Sequence, residues 1–186
     1  MKTEIVAGSI GAIAQQSGKS IAESFLSCDV VIIVDTSGSM SANDSRNGLS
    51  RYKVACQELK QLQENMPGKI AVINFSSTVQ FEPGGVPFNL GGGTDLLSAL
   101  RFVKPADQIE DMKFILISDG GPEDPESCIK FARGFKNKIS TIYVGPEEIP
   151  TGRDFLERLA KASGGQVVTA DRAKELGTKV TALLGA

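Results

Sequence analysis

Apolar runs alternate with amphipathic stretches along most of this chain. Residues 29–34, 69–75 and 112–118 form continuous apolar runs, which are typical of strands covered on both faces of a sheet. The stretches between them carry apolar residues at helical spacing and end near glycine or proline. The pattern predicts strands at 29–34, 69–75, 78–81, 112–118, 139–144 and 166–169, and helices at 49–65, 96–103, 125–136, 153–163 and 171–184.

Strands that alternate with helices of this length predict an α/β fold. We expect a doubly wound, mostly parallel central sheet with helices on both faces, with the short run 78–81 as an antiparallel edge strand. This domain is expected to span residues 28–186, after an N-terminal helical extension at 1–27. Apolar residues of the extension fall near one helical face, interrupted around residue 17, and that face is expected to pack on the domain.

Features that are missing from the composition exclude several classes of function. The 186 residues carry a net charge of -2 with no polybasic tract, so neither nucleic acid nor an anionic membrane is an expected partner. The chain has no histidine, which rules out a Ser-His-Asp triad or a Cys-His dyad within it. Its three cysteines, Cys28, Cys56 and Cys128, form no CxxC pair, so a structural zinc site is not expected.

The odd number of widely spaced cysteines favours a cytoplasmic protein, in which the three thiols are reduced and buried as small apolar residues. Residues 5–14 are mildly apolar and superficially resemble a signal sequence, so secretion is the alternative. That stretch is too short to span a bilayer.

Candidate chemistry is concentrated at the ends of predicted strands. Asp35, Ser37 and Ser39 follow the first apolar run, Asp119 follows the run at 112–118, and Thr94 lies in a glycine-rich loop before a helix. In a doubly wound sheet, ligands bind in the crevice beyond the carboxyl ends of the strands. Carboxylate and hydroxyl oxygens without sulfur or imidazole suit a hard cation such as Mg²⁺. The five side chains are therefore candidate metal ligands, and it is the fold class rather than their spacing that would bring the three loops together.

Taken singly, each of these segments is also explained by local structure. An Asp-x-Ser-x-Ser sequence after a strand often forms a helix cap or an Asx turn. Asp95 is predicted to be an N-cap and Asp124 a loop or first-turn charge, so neither is counted as a metal ligand. Gly18-Lys19-Ser20 matches only the end of a P-loop, because Ile13 occupies the position where that motif needs glycine.

Jointly, the five positions resemble the metal-ion-dependent adhesion site of the von Willebrand factor A family, and the resemblance covers residues 28–186. The family's DxSxS motif corresponds to Asp35-Thr36-Ser37-Gly38-Ser39, its threonine to Thr94 and its distal aspartate to Asp119. The resemblance implies that Ser37, Ser39 and Thr94 bind Mg²⁺ directly, with Mn²⁺ or Ca²⁺ as alternatives. Asp35 and Asp119 would act through bound water, and Asp119 would bind directly in one conformational state.

This resemblance implies a non-enzymatic protein-binding module, similar to stand-alone prokaryotic A domains, which often belong to multi-protein assemblies. Its protein partner would supply a Glu or Asp carboxylate to the metal. In some A domains the last helix, here Leu176–Leu184, moves between affinity states. Two alternatives stay open. One is a metal-independent structural subunit that docks through its N-terminal helices. The other is a metal-dependent hydrolase with Asp35 or Asp119 as base or nucleophile.

Overall fold

A six-stranded sheet forms the centre of the computed structural model, which describes residues 5–88 and 91–185. The strands are β1 (Val30–Asp35), β2 (Ile70–Phe75), β3 (Val79–Phe81), β4 (Lys113–Ser118), β5 (Ile139–Tyr143) and β6 (Val167–Thr169). They follow the order β3-β2-β1-β4-β5-β6, and all neighbours are parallel except β2 and β3. This arrangement confirms the predicted fold class, including the antiparallel edge strand. The outer limits of the predicted extension and domain, residues 1–4 and 186, lie outside the described residues.

The helices are α1 (Ile10–Ser17), α2 (Ile21–Leu26), α3 (Arg51–Asn65), α4 (Leu96–Val103), α5 (Pro125–Ala132), α6 (Pro150–Ser163) and α7 (Leu176–Leu184). Every residue of β1 and β2 is buried because helices cover both faces of the sheet. Alternate residues of β1 face opposite layers: Val31 and Ile33 pack with α4, α5 and α6, whereas Ile32 and Val34 pack with α3 and α7. The continuous apolar runs of the sequence therefore reflect two separate cores.

Aspartates cap the starts of two helices, Asp95 as predicted and Asp124 where a loop or first-turn charge was predicted. Asp95 accepts a hydrogen bond from the Ser98 N–H at the start of α4, and Asp124 does the same for Ser127 in α5. The predicted start of the last helix at residue 171 is wrong, because Arg172 and Ala173 adopt left-handed φ angles of 46° and 62°. A left-handed residue breaks a right-handed helix, so α7 begins only at Leu176.

The N-terminal segment packs against the domain. The N–H groups of Val6 and Gly11 donate to the carbonyls of Gly84 and Pro83, at 3.0 and 2.7 Å. Ile10 is 1% exposed and belongs to the core on the α4–α6 side. Ile21, which was expected on the same inward face, is instead 44% exposed. The segment thus attaches beside β3 through α1 and the residues before it, and through Phe25 of α2, whose ring centroid lies 5.4 Å from that of Phe81.

The three cysteines are free thiols, as expected of a chain without a disulfide framework. Cys28 and Cys128 are buried, and burial raises the pKa of each to about 12, so both are neutral at ordinary pH. Cys56 is only half-buried, which differs from the expectation for all three. Across the described ranges, no helix combines the length and apolar character that crossing a membrane requires.

Candidate functional site

The predicted site lies where the strand order of the sheet reverses. β1 and β4 are neighbours, yet the chain leaves β1 towards β2 on one side and leaves β4 towards β5 on the other. This reversal opens a crevice at the carboxyl ends of the two strands. Asp35 is the last residue of β1, and Asp119 directly follows β4. The two aspartates therefore lie at the same edge of the sheet.

Asp35 is a fully buried carboxylate held by neutral donors. Its Oδ1 accepts the Ser37 N–H at 2.8 Å, and its Oδ2 accepts the Ser118 hydroxyl at 2.6 Å. Burial raises the pKa of Asp35 to about 6, although the hydrogen bonds from Ser118 and Ser37 partly offset this effect. Among the described residues no lysine or arginine forms an ion pair with it. A buried negative charge without a cationic partner is an arrangement that a bound cation would relieve.

Two serine hydroxyls and the second aspartate converge beside Asp35. The Ser37 and Ser39 Oγ atoms are 3.2 Å apart, and the Ser39 hydroxyl donates to Asp119 Oδ1 at 2.8 Å. Ser37 is 2% exposed whereas Ser39 is exposed, so the pair extends from the protein interior to its surface. Asp119 is separated from Ser39 by 80 residues in sequence. The fold therefore brings together four of the five predicted side chains.

Thr94, the fifth predicted residue, lies on a loop that the backbone ties to the Asp35–Ser39 segment. The Gly91 N–H donates to the Thr36 carbonyl at 3.0 Å, and the Gly38 N–H donates to the Gly92 carbonyl at 3.3 Å. Gly91 and Gly92 have φ angles of 63° and 81°, which disfavour any residue with a Cβ. Within the described part of the chain, no hydrogen bond joins the Thr94 hydroxyl to the other four side chains. Residues 89–90 of this loop lie outside the described part of the chain.

Three residues of this site were not predicted from the sequence. Arg51, the first residue of α3, donates from Nη1 to Asp119 Oδ2 at 2.5 Å. Its Nε and Nη2 donate to Asp44 Oδ1 and Oδ2 at 2.9 and 2.6 Å, which makes a two-pronged pair. Ser118 is the third residue, through its bond to Asp35. Two sequence signals could have indicated these residues. One is a serine directly before Asp119 at a strand end, and the other is a cationic residue in the first turn of a predicted helix.

The donor set fits a hard divalent cation. No group of three or more His, Cys, Asp or Glu side chains suited to a metal occurs among residues 5–88 and 91–185. The predicted site contains only two carboxylates, and its other donors are hydroxyls. Oxygen donors of this kind match Mg²⁺, which keeps several water ligands, better than they match ions that prefer thiolate.

Comparison with known proteins finds relatives in structure but not in sequence. No family model matches the chain, and no curated protein matches it. An aerotolerance-related membrane protein from Bacteroides fragilis, with multiple mutations to serine, aligns with a TM-score of 0.65 and 16% identity, over 84% of this chain and 98% of its own. The conserved hypothetical protein BatB from Bacteroides thetaiotaomicron aligns with a TM-score of 0.59 and 18% identity, with the same coverage.

A third solved structure is proximal thread matrix protein 1 from the mussel byssus, with a zinc-occupied MIDAS motif. It aligns with a TM-score of 0.61 and 17% identity, over 84% of this chain and 47% of its own. Identities of this size show the fold alone. The chain thus has a von Willebrand factor A-like α/β fold, as the sequence resemblance implied.

Proposed function

We propose that this protein is a binding module that captures an acidic side chain of a partner protein through a divalent cation. The observation that carries the proposal is the convergence of Ser37, Ser39 and Asp119 beside the buried, uncompensated Asp35. The A-like fold supports an interaction module, because its sheet presents this crevice at an open edge.

The residues divide naturally into neutral ligands and charged supports. Ser37, Ser39 and Thr94 would hold the ion through their hydroxyls, while Asp35 and Asp119 balance its charge through bound water. Bound in this way, the ion supplies an electrophilic position that a Glu or Asp carboxylate from the partner would fill. We propose Mg²⁺ as the ion, with Mn²⁺ or Ca²⁺ as alternatives. The mussel protein, whose motif is zinc-occupied, adds Zn²⁺ to the ions worth testing.

Calorimetric titration with Mn²⁺ and Mg²⁺ tests the metal site directly. Wild type is compared with Ser37→Ala/Ser39→Ala, and Ser41→Ala is the matched control because Ser41 is an exposed serine of the same loop. We expect saturable binding in wild type and in the control, and loss of binding in the double variant. Absence of binding in wild type, or equal binding in all three proteins, would contradict the proposal.

Partner capture then separates this function from a metal-independent subunit. Capture that is lost in EDTA and in Ser39→Ala supports recognition through the ion. Capture that survives both changes would instead support the structural subunit that docks by its N-terminal helices.

We infer that the module binds without catalysing a reaction. Each oxygen of Asp35 and of Asp119 accepts a hydrogen bond from a protein group, and Asp35 is fully buried, which favours a supporting role for both carboxylates over attack on a substrate. The chain also offers no histidine for proton transfer. A screen of phosphate and ester substrates with Mn²⁺ would overturn this inference if it found turnover that Asp35→Asn abolishes.

A further inference from the structure

We propose that Arg51 is a positioning residue of this site, an internal counter-ion that holds Asp119 and preserves the positive charge of a bound ion for an anionic ligand. This inference rests on the proposed function and adds to it an explanation of why the site would select a carboxylate.

The geometry of Arg51 is that of a buried clamp between two carboxylates. One edge of its guanidinium donates twice to Asp44, and Nη1 donates to Asp119 Oδ2 at 2.5 Å. The Arg51 side chain is 8% exposed and that of Asp119 is 1% exposed, so this contact is screened little by water. Asp119 thus presents one oxygen to Ser39 while the other is already paired with a cation.

The position of Arg51 in its helix is not explained by helix stability. Arg51 is the first residue of α3, where the helix dipole favours negative and disfavours positive side chains. No acidic residue occupies that first turn. The N-cap role is filled independently by Ser50, which accepts the Lys53 N–H at 3.2 Å. The two carboxylates are therefore the interactions that account for a cation at this position.

Asp44 is in turn fixed from its other side. Arg172 Nε lies 3.5 Å from Asp44 Oδ2, and the neighbouring Ser45 hydroxyl donates to the Arg172 carbonyl. The bond from Arg51 lowers the pKa of Asp44, which keeps this carboxylate charged. The Asp44 side chain is 33% exposed whereas that of Asp119 is 1% exposed, so solvent screens the charge of Asp44 more strongly and Asp44 offsets only part of the effect of Arg51 on Asp119.

Arg51 changes the net charge that a bound ion would retain at the site. Asp35 and Asp119 alone would neutralise a divalent cation, which would leave little attraction for a further carboxylate. With Arg51 paired to Asp119, the same ion retains about one positive charge. Arg51 therefore weakens binding of the ion alone and strengthens binding of an anion to the loaded site.

The direction in which Mn²⁺ affinity changes when Arg51 is replaced separates this role from a merely structural one. Arg51→Gln removes the charge, and we expect its affinity for Mn²⁺ to rise by about tenfold to a hundredfold, the effect of a unit charge a few ångströms from a divalent ion at a dielectric constant near that of water, about 80. A residue that only holds the loops in place would, when removed, lower that affinity. Acetate binding to the Mn²⁺-loaded protein, followed by water proton relaxation, should weaken in the same variant.

Two further variants keep the test valid if Arg51→Gln folds poorly because two carboxylates lose their partner. Arg51→Gln/Asp44→Asn removes one orphaned charge and should also bind Mn²⁺ more tightly than wild type. Arg51→Lys keeps the charge but loses the two-pronged geometry, so its Mn²⁺ affinity should stay closer to that of wild type than to that of Arg51→Gln. Circular dichroism and thermal unfolding establish which variants are folded.

These measurements distinguish failure of the counter-ion role of Arg51 from failure of the proposed metal site. If wild type binds Mn²⁺ and the folded charge-removing variants bind it more weakly, the counter-ion role is wrong while the metal site stands. If Arg51→Lys behaves like Arg51→Gln, charge is not the cause and the inference is again wrong. No binding in any folded protein would overturn both proposals.

Discussion

Ser118 and Asp35 end two neighbouring parallel strands, and the Ser118 hydroxyl donates to Asp35 Oδ2 at 2.6 Å across a sequence separation of 83 residues. This bond and the Ser37 N–H leave Asp35 fully buried with only neutral partners. The site therefore contains a charge that the fold tolerates rather than neutralises. Such uncompensated charges cluster at functional sites more often than at structural ones.

Replacing Asp35 by Asn should abolish metal binding without destabilising the metal-free protein at pH 7. The rise in pKa from 3.8 to about 6 corresponds to a cost of charging of about 3 kcal/mol at most, which the neutral amide avoids. The amide can accept the Ser37 N–H and donate to Ser118, whose hydroxyl already lies 3.3 Å from the Gly120 carbonyl. Urea unfolding in EDTA and Mn²⁺ calorimetry measure the two effects. A loss of more than about 2 kcal/mol in stability would contradict this account.

Replacing Thr94 by Ala should weaken Mn²⁺ binding by about tenfold or more while changing stability by less than about 0.5 kcal/mol. Its hydroxyl makes no hydrogen bond to a described residue, so its removal leaves no buried group unpaired. Thr94→Ser is the matched control, since it keeps the hydroxyl and should bind nearly as wild type. Equal Mn²⁺ affinities for Ala and Ser at this position would remove Thr94 from the ligand set.

Replacing Gly92 by Ala should reduce metal affinity by distorting the Thr94 loop. Gly92 has a φ of 81°, and a Cβ there would lie 2.9 Å from Ser77 Oγ, the atom that accepts the Gly93 N–H. The strain is expected to cost about 1 kcal/mol of stability. Gly121→Ala is the control, because its Cβ would enter open space and its φ is not left-handed. Calorimetry and thermal unfolding of both variants check the prediction, which fails if the two behave alike.

Asp107 should make stability sensitive to acid at a position far from the site. Its side chain is fully buried and accepts bonds from the Lys104 ammonium and from the N–H groups of Lys136 and Asn137. Burial raises its pKa, but these bonds outweigh burial and leave the pKa below its usual value. Its contribution is therefore present above the unfolded pKa near 3.8 and is lost as pH falls through the lower folded value.

Asp107→Asn should accordingly be destabilised by about 1–3 kcal/mol at pH 7, because the amide NH₂ would face donors. The difference from wild type should narrow below about pH 4. Asp111→Asn serves as the control, since Asp111 is exposed and its φ of 59° suits asparagine. Urea unfolding across pH 3–7 provides the measurement, and a gap that stays constant with pH would count against Asp107 as the source.

Local patterns determined much of the fold. Continuous apolar runs marked the strands, because each residue of a doubly covered strand is buried whatever its neighbours are. The Asp95 side-chain cap marked the start of α4 for a similarly local reason. The start of α7 was placed wrongly, since the left-handed residues Arg172 and Ala173 are types that rarely adopt that conformation and so leave no signal.

In the candidate site too, residue types predicted some of the features and tertiary structure decided the others. Motifs at strand ends, together with the family resemblance, selected Asp35, Ser37, Ser39, Thr94 and Asp119 as candidates, because the chemistry of oxygen ligands is visible in residue types. The pairings of Ser118 with Asp35 and of Arg51 with Asp119, 83 and 68 residues apart, depend on β1 lying beside β4 and on the direction in which α3 begins. Residue types report what a side chain can do, whereas strand order and helix placement decide which side chains meet, and only the tertiary structure supplies those.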